Sequence, residues 1–366
     1  MSVLNGSLIT PGATIGILGG GQLGRMLAMS AAQLGLKSHI YAPEIDSPAF
    51  DVATRHTVGR YDDVAALQAF AAQVDCITYE FENIPSETVA ALEHLRPVYP
   101  DRVALTTSQD RLSEKTFLNA LGIATAPFVD VEDAGALARA VAQIGRPAIL
   151  KTRRFGYDGK GQAVVRESAD LAAVYRSLGG LPCILEGIVR FTREVSVIAA
   201  RSNNGQFAAY DVSENAHSQH ILSKTTVPAH ISGATARLAL EITERIARAL
   251  NYVGVFAVEM FVTEDAKGFE NLIVNEIAPR VHNSGHWTLD GAVTSQFEQH
   301  IRAICGWPLG STRRHGRIEM QNLIGSEVDD WHEILAEGNA SLRLYGKRES
   351  RPGRKMGHVT RIFAEN

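Results

Sequence analysis

Gly254-Val-Phe-Ala-Val-Glu-Met-Phe-Val262 and, a short way on, Leu272-Ile-Val-Asn-Glu-Ile-Ala278 are two strongly apolar runs joined around Lys267-Gly268. Each is too short for a buried helix and rich in β-branched and aromatic residues, so the pair reads as a buried β-hairpin. Glu259 and Glu276 lie equally far from the Lys267/Gly268 midpoint. A two-residue turn there sets the two carboxylates opposite one another, with Cβ atoms about 5 Å apart. On this register Ala257, Phe261, Val274 and Ala278 share their face, while Phe256, Val258, Met260, Ile273 and Ile277 line the other. Two like charges between apolar faces repel each other and lose hydration unless a cation lies between them. Mg²⁺, held by carboxylates and substrate phosphates, removes that difficulty. A longer loop that separates the two glutamates is the alternative.

Beyond Glu276 the chain reads Ile277-Ala-Pro-Arg280-Val-His282-Asn283-Ser284-Gly285-His286-Trp287, which puts an arginine, two histidines, an amide and a hydroxyl just past a strand end. That set suits anion binding and proton transfer. Upstream, Lys151 closes an apolar strand and is followed by Phe155-Gly-Tyr-Asp-Gly-Lys-Gly-Gln162, a glycine-rich loop between strands expected to be antiparallel. Such a loop reads as a flap, and the lysine beside it as a phosphate contact or a solvated charge.

Further toward the N-terminus the pattern changes to strand, glycine turn, helix. Thr14–Leu18 precedes Gly19-Gly-Gly21-Gln-Leu-Gly24, and a helix ends at Gly35. Strands at 37–41, 76–79 and 98–99 alternate with helices at 64–73 and 86–95, predicting a doubly wound parallel sheet over roughly the first hundred residues. The glycine turn can aim helix N–H groups at a phosphate. A dinucleotide needs an acid at the end of the second strand, where this chain has Ala42-Pro43. A phosphorylated small molecule fits better, and close helix–strand packing is the plain alternative.

With 366 residues the chain has room for two or three domains, and 36 basic against 40 acidic residues leave no positive field to draw nucleic acid or an anionic membrane. Cys76, Cys183 and Cys305 are far apart and lack zinc-ligand spacing, which suits buried thiols in a reducing cytoplasm. No cationic leader and no uncharged apolar stretch of about 18 residues occur, so neither secretion nor membrane insertion is expected.

These pieces, in this order, resemble the ATP-grasp ligases, and within them the N5-carboxyaminoimidazole ribonucleotide synthetase family. The resemblance runs through Ile17-Leu-Gly-Gly-Gly-Gln-Leu-Gly-Arg-Met26, Tyr79-Glu-Phe-Glu-Asn-Ile84, Gly156–Gln162, Asn275–Trp287 and Lys355-Met-Gly-His358. It implies an α/β and α+β architecture: an N-terminal doubly wound substrate-binding domain (1–108), an ATP-grasp domain (109–300) whose lid spans about 123–190, and a small C-terminal domain (301–366). The implied activity is ATP-dependent carboxylation of 5-aminoimidazole ribonucleotide with bicarbonate, through carboxyphosphate, in purine biosynthesis. Mg²⁺ (or Mn²⁺) would sit on Glu259 and Glu276, and the enzyme would be a cytoplasmic homodimer.

Carried onto matching positions, the resemblance assigns ATP to Arg111, Lys151, the flap residues Gly156, Tyr157, Asp158, Gly159, Lys160, Gly161 and Gln162, the hinge Glu186, Gly187, Ile188 and Val189, and Glu194, His217, Asn275 and Glu276. It assigns the ribonucleotide and bicarbonate to Gly20, Gly21, Gln22, Leu23, Glu80, Asn83, Arg280, His282, Asn283, Ser284, Arg348 and Lys355. Tyr157, Asp158, Arg280, His282 and Lys355 are its catalytic group. Phe155 departs from the family, which often has glycine there, and about a dozen residues precede the first strand as an extension. Within the class the competitors are a formate-dependent glycinamide ribonucleotide transformylase or a biotin-carboxylase-like enzyme. Outside it they are a nicotinamide-dependent oxidoreductase, which leaves Glu259, Glu276 and the flap without a role, and a non-catalytic nucleotide-binding protein.

Overall fold

A computed structural model describes residues 8–156 and 159–365. The N-terminal segment forms the expected parallel sheet, ordered Arg55–Val58, Lys37–Ala42, Thr14–Leu18, Cys76–Tyr79. The expected strand at 98–99 is reduced to one parallel bridge between Ile77 and Val98, and the largely exposed edge strand Arg55–Val58 was not anticipated. Helix starts are set locally: Asp63, Asp101, Asp110, Asp133 and Asp170 each accept a backbone N–H of the first turn, which stabilises each helix by about 1 kcal/mol.

A second, antiparallel sheet runs Phe128–Val131, Cys183–Gly187, Ala148–Thr152, Gln162–Val165. Its helices Ala134–Ile144 and Leu171–Ser177 bury Leu137, Ala140 and Tyr175 against Leu150, Val165 and Leu185. The glycine-rich loop connects its last two strands in space.

The third sheet has nine strands. Its path is Glu270–Ala278, Gly254–Glu264, Arg193–Arg201, Ser213–Ser218, Ile221–Val227, Arg317–Ile324, Lys355–Phe363, Ala340–Leu344, with Phe207–Ala209 paired to Arg193–Arg201. The C-terminal strands thus extend the central sheet rather than build one of their own. On one face, helix Gly233–Ala249 presents Ala239, Ile242 and Ile246 to Val197, Phe256, Val258 and Met260. On the other, Ile198, Val255 and Ala257 share a core with Phe297 and Ile301 of helix Gln296–Ile304 and with Met26 and Leu27 of helix Gln22–Gln33. That common core fixes the parallel sheet against the large one.

The hairpin that opened the sequence reading is present, with a correction. Its last pair is Glu264↔Glu270, so residues 265–269 form the turn, closed by Asp265 accepting from Lys267 N (2.8 Å) and Phe269 N (3.0 Å). This longer turn shifts the register by one residue. A bulge beside Met260, with Asn275 as the extra residue, shifts it back and leaves Glu259 paired with Glu276. The bulge also exchanges two neighbours: Val274 joins Met260 in the core, and Ile273 pairs with Phe261 on the carboxylate side.

Candidate active site

The three sheets enclose a cleft of about 690 Å³. Of the residues singled out from sequence, it gathers Gly21, Gln22, Leu23, Glu80, Asn83, Arg111, Lys151, Gly156, Gly159, Lys160, Gln162, Glu194, His217, Glu259, Asn275, Glu276, Arg280, His282, Asn283 and Lys355. Tyr157 and Asp158 lie outside the described residues.

At the floor, burial first and Glu276 second push the Glu259 carboxyl up to about 8. Its Oε1 lies 3.1 Å from His282 Nε2, while Arg111 Nη1 donates to Glu276 Oε2 at 3.2 Å. Arg111 therefore supplies from one side the positive charge that the pair requires. The helix Arg111–Ala120 also brings Glu114 beneath the pair, where Oε1 accepts from Ile277 N (2.6 Å). Burial first and Glu276 second raise that carboxyl to about 8.

Glu186 is buried between two ammoniums, Lys151 at 2.9 Å and Lys115 at 3.5 Å. Burial opposes its ionisation, but the two lysines outweigh burial and hold its carboxyl below the usual range. Burial lowers Lys151 in turn. Lys115 was not singled out from sequence, being one charge in an ordinary amphipathic helix; it is fully buried and donates to Asn275 O at 3.3 Å. Across the cleft His217 Nδ1 lies 3.1 Å from Glu194 Oε2, and Phe191 stacks on Phe261 at 4.6 Å. These two rings carry no distinguishing signal in sequence, since any sheet holds such residues. Gly159, at φ 77°, passes so close to His220 that a Cβ would lie 2.7 Å from the His220 Cβ, so the flap tolerates only glycine there.

The glycine turn differs from the expectation. Its Gly21 and Gly24 N–H groups, expected to face a ligand phosphate, donate to the buried Glu80 carboxylate, the second at 2.5 Å. Burial raises the Glu80 carboxyl despite these donors. Lys347, absent from the sequence reading, is close enough to act on it, and burial lowers that lysine to about 8. Glu82 was missed as well, although it lies just past the end of the parallel strand Cys76–Tyr79, where such sheets place ligand groups. It pairs with both forks of Arg280, through Nη2 at 3.1 Å and through Nε.

Some of the assigned residues stand away from the cleft lining. Ser284 is fully buried behind His282, with Oγ 2.9 Å from His282 Nδ1, and does not reach the cleft. Arg348 stands on the surface beside Asp46 at 3.1 Å. Gly20 and Gly161, and the hinge residues Glu186, Gly187, Ile188 and Val189, are not among the lining residues. Gln296 anchors the loop from behind: its amide oxygen accepts from His282 N (2.9 Å) and its nitrogen donates to His282 O (2.7 Å) and His286 Nδ1 (3.1 Å). Asn283 lines the cleft with both amide atoms buried and without a hydrogen-bond partner, an arrangement that costs free energy until a ligand completes it.

Two carboxylates, an amide and no third acidic or imidazole ligand suit a hard cation that takes its remaining oxygens from phosphate and water; among the described residues no group of three or more His, Cys, Asp or Glu forms a metal cage.

Three protein-family models match the chain in succession. A ribonucleotide synthetase preATP-grasp domain covers residues 12–109, an ATP-grasp domain 116–297, and a phosphoribosylaminoimidazole carboxylase C-terminal domain 319–366. The N5-carboxyaminoimidazole ribonucleotide synthase of Brucella melitensis biotype 1 is 51% identical over 356 residues, covering 97% of each chain. A solved ADP complex of N5-carboxyaminoimidazole ribonucleotide synthetase is similar with TM-score 0.93 and 41% identity, covering 98% of this chain and 94% of that one. The enzyme from Aspergillus clavatus, solved with ADP and 5-aminoimidazole ribonucleotide, gives TM-score 0.87 at 30% identity, covering 96% and 94%. With its hairpin carboxylates, its glycine flap and these matches along its length, the chain belongs to the N5-carboxyaminoimidazole ribonucleotide synthase family of ATP-grasp ligases.

Proposed function

We propose that the chain uses ATP to carboxylate the exocyclic amine of 5-aminoimidazole ribonucleotide, with bicarbonate as the carboxyl source, in purine biosynthesis. The observation that carries this reading is the opposed Glu259–Glu276 pair, flanked by Arg111 on one side and by Arg280 and His282 on the other. Glu259 and Glu276, with Asn275 beside them, would hold Mg²⁺, with Mn²⁺ as a substitute, and the ion would supply positive charge at the phosphate oxygens.

Lys151 and Arg111 bring further positive charge to the phosphates, and positioning with electrostatics accounts for most of the catalysis in phosphoryl transfer. Bicarbonate attacks the γ-phosphorus of ATP, the bond to the β–γ bridging oxygen breaks and ADP leaves, giving carboxyphosphate; the exocyclic amine of the ribonucleotide then attacks its carboxyl carbon and phosphate leaves. Arg280, kept in place by Glu82, and the Nε2 side of His282 hold the anion. The unpartnered Asn283 amide offers both a donor and an acceptor to the same region. Glu80, Gln22 and Lys355 bound the end where the ribonucleotide sits, so the N-terminal parallel sheet serves the acceptor and the two antiparallel sheets serve ATP. The flap residues Gly156, Gly159, Lys160 and Gln162 close over the reactants and exclude water. Division into three domains at about residues 108 and 300, homodimeric assembly and a cytoplasmic setting belong to the same reading and rest on the family resemblance.

The test is ADP release from Mg-ATP and 5-aminoimidazole ribonucleotide with and without bicarbonate, following labelled bicarbonate into acid-labile product. Turnover that requires the ribonucleotide, with label retained, is the expected result. ADP release without incorporation of label would overturn the assignment of substrate.

A further inference from the structure

Behind His282 lies a line of buried polar side chains that no step above uses. Thr225 Oγ1 is 3.0 Å from Asn215 Oδ1, Asn215 Nδ2 is 2.9 Å from Ser196 Oγ, Ser196 Oγ is 2.7 Å from Ser284 Oγ, and Ser284 Oγ is 2.9 Å from His282 Nδ1. The sheet register builds the line. Asn215 pairs with Thr225, and Ser196 pairs with Glu259, so these side chains stand on one face directly beneath the loop that carries Ser284 and His282. Thr225, Ser196 and Ser284 are completely buried and Asn215 is 7% exposed.

The direction of the line follows from its end. The Ser284 backbone N–H points at His282 Nδ1 at 3.4 Å, and at the far end Thr225 Oγ1 donates to Asn215 Oδ1, which turns the Asn215 amide so that Nδ2 donates to Ser196 Oγ. A neutral imidazole has one proton, so Nε2 carries it and Nδ1 accepts. The Ser284 hydroxyl then donates to Nδ1, the Ser196 hydroxyl donates to Ser284, the Asn215 amide donates to Ser196, and Thr225 donates to the Asn215 carbonyl. Every hydroxyl proton in the line is used once and every acceptor is filled.

We propose that Thr225, Asn215, Ser196 and Ser284 are positioning residues which fix His282 as the Nε2-protonated tautomer, so that the imidazole meets the reactants as a hydrogen-bond donor and not as a base. The kinetic part of this inference rests on the carboxylase reading; the tautomer does not. In that role His282 orients an oxyanion at the edge of the metal-binding pair.

Two measurements test it on the full chain. In protein labelled with ¹⁵N-histidine, the resonances of His282 among the twelve histidines are identified as those lost in His282→Gln. At pH 7 they are expected to show a bare Nδ1 and a protonated Nε2; a protonated Nδ1 overturns the proposal, and this result requires no other variant to fold. In Ser196→Ala the single tautomer should give way to a mixture, and kcat/KM for bicarbonate should fall about tenfold or more while KM for ATP stays within about twofold, the range seen when groups that orient a site residue are removed. A Ser196→Ala variant that folds and keeps the wild-type His282 spectrum overturns the proposal whatever its rate. If the wild-type chain fails to consume bicarbonate, the substrate reading fails, while the spectrum still decides the tautomer.

Discussion

Replacing Glu259 with glutamine should abolish ATP turnover and, in the ligand-free chain, raise stability in a pH-dependent way. Folding carries this carboxyl from 4.5 to about 8, chiefly by burial and then by repulsion from Glu276. The folded state therefore holds a proton that the unfolded state releases, and stability falls as pH rises from about 4.5 to about 8. At 1.36 kcal/mol per pH unit the penalty reaches on the order of 4 kcal/mol at pH 8 and about 3 kcal/mol at pH 7, and it vanishes below pH 4.5. Glutamine has the same shape, never ionises, and its carbonyl oxygen can accept from His282 Nε2 as Oε1 does. Urea unfolding of wild type and Glu259→Gln at pH 5, 6, 7 and 8 measures the difference. The variant's advantage should grow with pH, to a few kcal/mol at pH 8. Adding Mg-ATP should stabilise the wild type and leave the variant nearly unchanged. An advantage independent of pH, or a variant less stable at pH 8 than the wild type, would refute the reasoning.

Glu276→Gln should fold normally yet lose ADP formation by about a hundredfold or more, since one of two metal-binding carboxylates is gone; near-normal turnover would remove the assignment. Glu186→Gln leaves Lys115 and Lys151 buried together without their counter-charge, and a denaturant series should show a loss of about 3–5 kcal/mol. Asn283→Ala should raise the thermal unfolding temperature of the ligand-free chain, because its buried amide has no partner to lose, while steady-state kinetics show a raised KM for bicarbonate or the ribonucleotide, by about tenfold for one hydrogen bond to a charged group.

Much of this arrangement is legible in the sequence, because local rules and the final fold agree. The alternation of strands and helices around Gly19–Gly24 gives the parallel sheet, and the spacing of Glu259 and Glu276 predicts their opposition. That opposition arises by a different route from the expected one: a two-residue turn was the simplest reading, whereas Asp265 closes a longer turn and the bulge at Asn275 restores the pairing. Bulges have no reliable signature in a single sequence, since they answer to the ligand side of a sheet and not to propensity. The glycine turn misleads for a related reason. The motif reports that backbone N–H groups are available, but not that Glu80, far along the chain, takes them. Ser284 shows the limit of adjacency: it stands two residues from His282, and the short helical turn Asn283–Gly285 rotates it away from the cleft. Lys115, Lys347 and Glu82 acquire their importance only from burial and partners brought by distant elements.

The continuity of the nine-stranded sheet has a consequence for the order in which the molecule can be made. Strand Ile221–Val227 is interior only because Arg317–Ile324 pairs with it, and that strand in turn is covered by Lys355–Phe363. While the chain emerges from the ribosome, the floor of the ATP site can be complete and yet carry an open apolar edge until residues 317–363 arrive, an edge that invites pairing with another chain. Translation arrested shortly after residue 300 would thus release a nearly whole nucleotide-binding unit that is prone to aggregate, and the last strands act as the seal that makes the earlier ones safe.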